Sequence, residues 1–228
     1  MVKLSVPQTA EQLGVSQQRV RAMIAAGQID AERVAGRWFV EAASLSMGRR
    51  RPGQPYSSRI AWALIGVAEG EQPSLLSQSE RSRVRSRWRK LIEDPHAVAS
   101  LPTLLSRRGR RMRLSAPEPL GLLDDPRFVR SGRSDTRSGV AVRGYAEGYL
   151  SERDLSAFEV EHFLVPAEGL ENVLLRVVPE RVSAPMVNST APWLAVTADL
   201  ADAGARERQQ AQALWDGQIS RMDAGDHA

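Results

Sequence analysis

The chain opens on a helical period. Val6, Ala10 and Leu13 fall on one side of a short helix. Its start is marked by an S-x-x-Q capping box, Ser5 with Gln8, and by Pro7 in the first turn, where a missing N–H does no harm. Gly14 supplies the left-handed residue that ends it, and Val15 is expected to plug the turn. Ser16 caps a second helix over 17–26. There Val20, Met23 and Ile24 face inward at i, i+3 and i+4, which leaves Gln17, Gln18, Arg21 and Ala22 facing out, and Gly27 stops the helix. The period then switches to two. Ala31-Glu32-Arg33-Val34, an Ala35-Gly36 turn and Arg37-Trp38-Phe39-Val40 predict a hairpin with Val34, Trp38 and Val40 on its buried face. Helix, turn, helix and two-stranded wing follow one another in about 45 residues, a unit with only a marginal core of its own.

Residues 48–56, GRRRPGQPY, hold Gly, Pro and three consecutive Arg, which cannot build a core and predict a linker. Over 57–113 the pattern is helical and basic. Ser57 or Ser58 caps a helix with Ile60, Leu64, Val67 and Ala68 on one face. Ser77 and Glu80 form a second capping box, ahead of a helix whose buried stripe is Val84, Trp88, Leu91 and Ile92. Arg81, Arg85 and Arg89 line another face at i, i+4 and i+8, with Arg83, Arg87 and Lys90 adding charge, and a further cluster follows at Arg107, Arg108, Arg110, Arg111 and Arg113. From 114 the texture changes. Short β-rich runs at 127–129, 148–150 and 173–178 alternate with helical patterns at 151–158, around Trp193, Val196 and Leu200, and at 206–219, with a polar tail over 222–228. The fold class read from this is α+β: a winged helix-turn-helix over 1–47, the 48–56 linker, a basic helical region over 57–113, and a mixed α+β domain over 114–221.

Composition narrows the chemistry. The 228 residues contain no Cys, which removes disulfides, thiolate metal sites and cysteine nucleophiles. The three His, at 96, 162 and 227, have no metal-ligand spacing. No signal-peptide or membrane-spanning run is present, so a cytoplasmic protein without a membrane partner is expected. Net charge is only +4, but residues 1–115 hold 20 Lys+Arg against 9 Asp+Glu while 116–228 hold 11 against 18. That asymmetry predicts a nucleic-acid-facing front and a back with another task. Arg outnumbers Lys 29 to 2, the mark of a GC-rich codon usage, so the placement of the arginines is informative and their identity is not.

The residues of the first segment carry a resemblance. Ser5, Thr9-Ala10-Glu11, Leu13-Gly14-Val15-Ser16, then Val20, Arg21, Ile24, Gly27 and Ile29, then Arg33, Val34, Gly36, Arg37, Trp38 and Val40 resemble the excisionase-type, MerR-like DNA-binding domain, with Ala35 inserted against the pattern. In a helix-turn-helix the second helix enters the major groove with its N-terminal side chains at base edges. Gln17 and Gln18 are then candidates for adenine, Arg21 for guanine or phosphate, and Arg19 for phosphate. Ser5 and Ser16 place helix-start N–H groups against phosphates. The resemblance gives the wing contacts to Arg33 and Arg37, with cross-strand pairing to Glu32 or Glu41 as the alternative. Arg50 and Arg51 read as a minor-groove arm or as a solvated linker. Arg81, Arg85 and Arg89 read as a further DNA face or as a solvated basic one.

The chain as a whole resembles actinobacterial two-part regulators of the AbiEi antitoxin type, encoded beside nucleotidyltransferase-type toxins. That resemblance implies an autoregulatory repressor whose acidic C-terminal half binds a toxin. A recombination directionality factor of the excisionase kind is the alternative, although such factors are usually little more than the first domain. Homodimers or arrays on repeated sites are expected, because a lone winged helix of this size usually binds weakly. An enzyme is a third class and is not the expectation. There is no phosphate-binding G-x-x-x-x-G-K-[ST] loop and no H-E-x-x-H. Gly132-Arg133-Ser134-Asp135 faintly resembles the start of a nucleotidyltransferase site, but Asp124, Asp125, Asp199 and Asp202 lie in turn-like or helical text instead of paired on a strand. No cofactor, metal or catalytic residue is assigned.

Overall fold

A computed structural model describes residues 3–25, 31–34, 36–41, 54–73, 76–140, 143–180, 182 and 190–225. The chain divides into two compact units, 1–53 and 54–228. No described helix is long and apolar enough to cross a membrane.

Unit 1 consists of β1 (Lys3–Ser5), α1 (Val6–Leu13), α2 (Gln17–Ala25), β2 (Ala31–Val34) and β3 (Arg37–Glu41). The strands form an antiparallel sheet in the order β1-β3-β2. Strand β1, which pairs Leu4 with Val40, has no counterpart in the sequence reading, because three residues are too few to show a period. At the start of α1, Gln8 Oε1 accepts both the Ser5 N–H, at 2.9 Å, and the Ser5 hydroxyl, at 2.8 Å. Gly14 adopts φ 65°, and the N–H groups of Gly14 and Val15 turn back to the carbonyls of Glu11 and Ala10. Val15 itself is 37% exposed: its backbone closes the turn and its side chain stays in solvent, so it does not plug the turn as expected. Val6, Ala10, Val20, Met23 and Val40 make the core, with Leu13, Ile24 and Trp38 packed at its edge.

Unit 2 runs through α3 (Ser58–Ala68), α4 (Gln78–Ile92), α5 (Ala97–Leu104), β4 (Arg110–Ser115), β5 (Val129–Arg130), β6 (Ala146–Ser151), α6 (Leu155–Glu161), β7 (Val165–Pro166), β8 (Val173–Val178), α7 (Trp193–Ala201) and α8 (Ala205–Gly225), with short 3₁₀ turns between. Its mixed sheet has the order β5-β6-β8-β4-β7, with β6 and β8 parallel and the other pairs antiparallel. The alternation along β8 builds two layers. Val173, Leu175 and Val177 pack with Leu114, Phe128, Leu150 and Phe158 under α6. On the other face, Tyr149 and Val178 meet the helical layer of α3, α4, α5, α7 and α8, where Trp88, Trp193 and Trp215 pack edge to face at centroid distances of 5.7–6.1 Å.

Several expectations change here. The basic helical region and the α+β domain share one core, and a boundary at 113/114 cuts through β4. Arg110 to Arg113 are strand residues, and Arg108 is buried, so the 107–113 cluster is not one exposed basic surface. Ile92 is 38% exposed, beyond the buried stripe of Val84, Trp88 and Leu91. Helix α8 continues through Gly225, where the sequence predicted an end near 219.

The helical layer and the sheet meet on charge. Asp199 of α7 accepts from Arg108 Nη2 and, at 2.5 Å, from Arg176 Nε on one oxygen, and from the hydroxyls of Ser131 (2.6 Å) and Tyr149 (2.8 Å) on the other. Arg108 also donates to the Tyr149 hydroxyl and the Leu105 carbonyl, both at 2.8 Å, and Arg176 to Asp202 at 3.1 Å. The two guanidinium groups hold the Asp199 carboxyl below its ordinary range against the opposing effect of burial. Nearby, burial and the Asp199 charge push Glu147 up to about 7. Gly132, at φ 51°, closes over Glu147 so tightly that a Cβ there would lie 2.3 Å from its carboxyl carbon. The Arg133 N–H donates to Glu147 Oε2 at 3.1 Å, and the Glu147 N–H to the Ser134 hydroxyl at 2.8 Å.

Two outcomes follow for stability. Asp199→Ala strands two buried guanidinium groups and is expected to cost unit 2 about 3–5 kcal/mol, read as a lower urea midpoint at unchanged m-value. Glu147 is protonated at low pH in both folded and unfolded chains, so it exacts no penalty below its ordinary value of 4.5. As pH rises from there to about 7 the unfolded chain ionises first and the folded state is disfavoured. Glu147→Gln should therefore be neutral at pH 4.5 and stabilising by roughly 3 kcal/mol at pH 8, measured as the difference between the two proteins' urea curves at each pH.

Candidate nucleic-acid interface

The face that α2 offers to solvent is fixed by what it buries. Val20 and Met23 are in the core of unit 1 and Ile24 is half-buried, so the helical period turns Gln17, Gln18, Arg19, Arg21 and Ala22 outward, and all five are exposed. Ser16 caps the helix, its hydroxyl oxygen accepting the Arg19 N–H at 3.2 Å. The cap anchors the end of the helix from which Gln17 and Gln18 project. Two long amides and two guanidinium groups on the first turns of one helix have the reach and donors to meet base edges and phosphates.

The β2–β3 hairpin closes with Val34 opposite Arg37, and Gly36 at φ 80° makes the tight reversal. Arg33 and Arg37 are both exposed. Arg33 Nε reaches the Gly36 carbonyl at 3.4 Å, which props the side chain along the hairpin. Of the two cross-strand partners expected, Glu32 is paired with Lys3 from β1, and the side chain of Glu41 lies outside the described residues. Neither Arg33 nor Arg37 has an ion-pair partner among the described residues. That arrangement depends on β1 and was invisible in a reading that had only two strands.

Other expected contacts fare differently. Ser5 is half-buried at the start of α1, and its own N–H and hydroxyl both donate to Gln8. Arg50 and Arg51 lie outside the described residues. In unit 2, Arg85 and Arg89 are exposed on α4 while Arg81 is half-buried, since Arg81 lies beside the Val84–Trp88 stripe and the i, i+4, i+8 series drifts away from it around the helix. Exposed Arg83 and Lys90 extend the basic surface around the same helix, and Arg87 stacks over the Tyr56 ring at 4.7 Å.

The carboxylates that an enzyme reading would need are engaged by guanidinium groups. Asp135 receives Arg137 Nε at 2.8 Å and Nη2 at 2.6 Å; Asp202 receives Arg111 at 2.9 Å and Arg176. Asp125 receives Arg127 Nη2 at 2.6 Å and His162 Nε2 at 2.9 Å, and these bonds hold its carboxyl well below the usual range. Asp124 is exposed, in a shallow cleft of about 430 Å³ shared with Asp125, Arg130 and Asp135. In the Gly132–Asp135 segment, Gly132–Ser134 form a 3₁₀ turn closed over Glu147 and Asp135 caps the next turn, Thr136–Ser138. Among the described residues, no three His, Asp or Glu side chains come together as a metal site.

No protein-family model matches the chain, and no curated protein and no solved structure matches it either.

Proposed function

We propose that unit 1 is a winged helix-turn-helix that binds double-stranded DNA, and that the protein is a sequence-specific transcriptional regulator acting at its own gene. The observation that carries this is the outward face of α2, with Gln17, Gln18, Arg19 and Arg21 all exposed on its first turns behind the Ser16 cap. In this reading α2 is the recognition helix, and the β2–β3 hairpin is a wing whose Arg33 and Arg37 hold phosphate or the neighbouring minor groove. An excisionase-like directionality factor would use the same face. The regulator is preferred because 54–228 forms a second folded unit, more than such a factor usually carries.

A second activity, capture of a toxin by unit 2, is favoured by a particular surface. Phe163 stands 71% exposed just after α6, in the left-handed region at φ 52°, with Val160 and Val165 exposed beside it in sequence and Leu170 fully in solvent. A bulky non-glycine residue held there is strained, and an exposed apolar group of this kind suits a protein contact. Residues 151–171 hold six Asp or Glu and one Arg, a charge that suits a partner with a basic nucleic-acid or nucleotide site. In this reading the chain is an antitoxin that represses its own operon.

For DNA binding, titrations on the duplex upstream of its own gene and on an unrelated duplex, across a salt series, give separable outcomes. Gln17→Ala with Gln18→Ala should abolish the preference for the first duplex, a loss of roughly 5–150-fold on that duplex alone. Arg33→Ala with Arg37→Ala should weaken both duplexes alike and reduce the log–log salt slope by about 2. Equal affinity of the wild type for both duplexes would refute the sequence-specific reading. For the partner, an adjacent open reading frame whose product kills the host alone should be neutralised by the wild-type chain and not by Phe163→Glu. Neutralisation that survives Phe163→Glu would move the contact elsewhere.

A further inference from the structure

Helix α4 is an expensive helix as an isolated element. Its 15 residues carry Arg81, Arg83, Arg85, Arg87, Arg89 and Lys90 against the single acid Glu80. Glu80 is already committed: it caps its own helix through the Ser77 N–H at 3.0 Å and hydroxyl at 2.8 Å, and pairs with Arg59 of α3. The pairs 81/85, 85/89 and 83/87 set like charges one turn apart, which destabilises a helix. Interaction with the helix dipole accounts for Arg89 and Lys90, which lie in the last turn, but works against Arg81 and Arg83 near the positive end. Arg83, Arg85, Arg89 and Lys90 are exposed, and none has an ion-pair partner among the described residues.

The platform under these charges is rigid. Val84, Trp88 and Leu91 are buried, and Trp88 packs edge to face on Trp193 of α7 and Trp215 of α8. Fixed backbone means that little conformational freedom is left to lose when a ligand lies along the helix. Ser82 is exposed between Arg81 and Arg83, adding a hydroxyl donor of the kind that bonds phosphate oxygens. A helix of this length runs about 22 Å, the span of roughly six phosphates along one strand of a duplex.

We infer that α4 is a second DNA-contacting surface, in unit 2, which binds the phosphate backbone of duplex DNA without reading its sequence. It rests on the reading of the protein as DNA-binding, and its residues are separate from those that unit 1 would use. The basic face lacks the grouped amides that α2 presents, so it adds affinity and salt dependence equally on every duplex.

The test is the full chain carrying Arg83→Gln, Arg85→Gln, Arg89→Gln and Lys90→Gln together, titrated on the same two duplexes across the salt series. These four side chains are exposed, so the urea midpoint should hold or rise slightly as like-charge repulsion is removed, which confirms the fold. The expected result is a log–log salt slope reduced by about 3.6 on both duplexes, with the preference between them kept. A wild-type slope in this variant, while the Arg33→Ala and Arg37→Ala chain weakens as described, would overturn the α4 assignment alone. A wild type that binds neither duplex at any salt would end both readings. Loss of binding to single-stranded RNA with duplex binding intact would give the face to RNA and overturn the proposal.

Discussion

Unit 2 is organised around one carboxylate. Asp199 is bonded by donors from the turn after α5, from β8, from β6 and from the segment after β5, so four separate pieces of chain meet on a single side chain of α7. Two buried guanidinium groups would be untenable without it, and Asp202, which Arg176 and Arg111 share, supplies the second negative charge. The same centre explains its surroundings. Glu147 sits near Asp199 in a buried site, so its neutral form is favoured, and Gly132 is needed because only a residue without a Cβ lets the next turn close over that carboxyl. The indole N–H of Trp62 donates to the Arg108 carbonyl at 2.6 Å, which extends the bonded network into α3.

Arginine therefore plays two opposite parts in one unit. Arg108 and Arg176 are buried, paired with carboxylates and fix geometry; Arg83, Arg85 and Arg89 are exposed without an ion-pair partner among the described residues. Charge totals hide the difference. Residues 54–228 hold 23 Lys+Arg and 23 Asp+Glu, so the entire net charge of +4 belongs to 1–53. Neutrality of unit 2 arises from segregation: a basic α4, an acidic 151–171 stretch and an internally balanced core.

What could be read from sequence was local. The Gly14 turn and the Ser77 box depend on residues within a few positions, and so does the outward face of α2, which the period of Val20, Met23 and Ile24 dictates. What escaped depends on distant partners. In β4 the alternation of Arg111 and Arg113 with Met112 and Leu114 is the signal of a strand, but six residues rich in arginine next to a basic helix also read as its continuation. That Arg108 is a core residue follows only from Asp199, 91 positions away. The pairing of Glu32 likewise turns on Lys3, since the third strand brings that ammonium to the acid expected to meet the wing.

The two basic surfaces differ in what they can recognise, and the difference is physical. On α2, glutamines stand beside arginines, and a carboxamide offers a donor and an acceptor to one base edge; on α4 the exposed long side chains are cationic and donate only. Among the described residues the core of unit 1 has five buried apolar side chains, so the unit is small, and as a DNA-binding module it would offer a small recognition surface. If α2 and α4 both bind duplex DNA as proposed, joining them in one chain would raise the effective concentration at which α2 meets its site, and each contact would lower the cost of the other. Discrimination then remains with the glutamines, since a contact that strengthens every duplex equally cancels from the ratio of affinities. On that proposal unit 2 would add binding strength without blurring the choice made by α2, because phosphate is the same on every duplex.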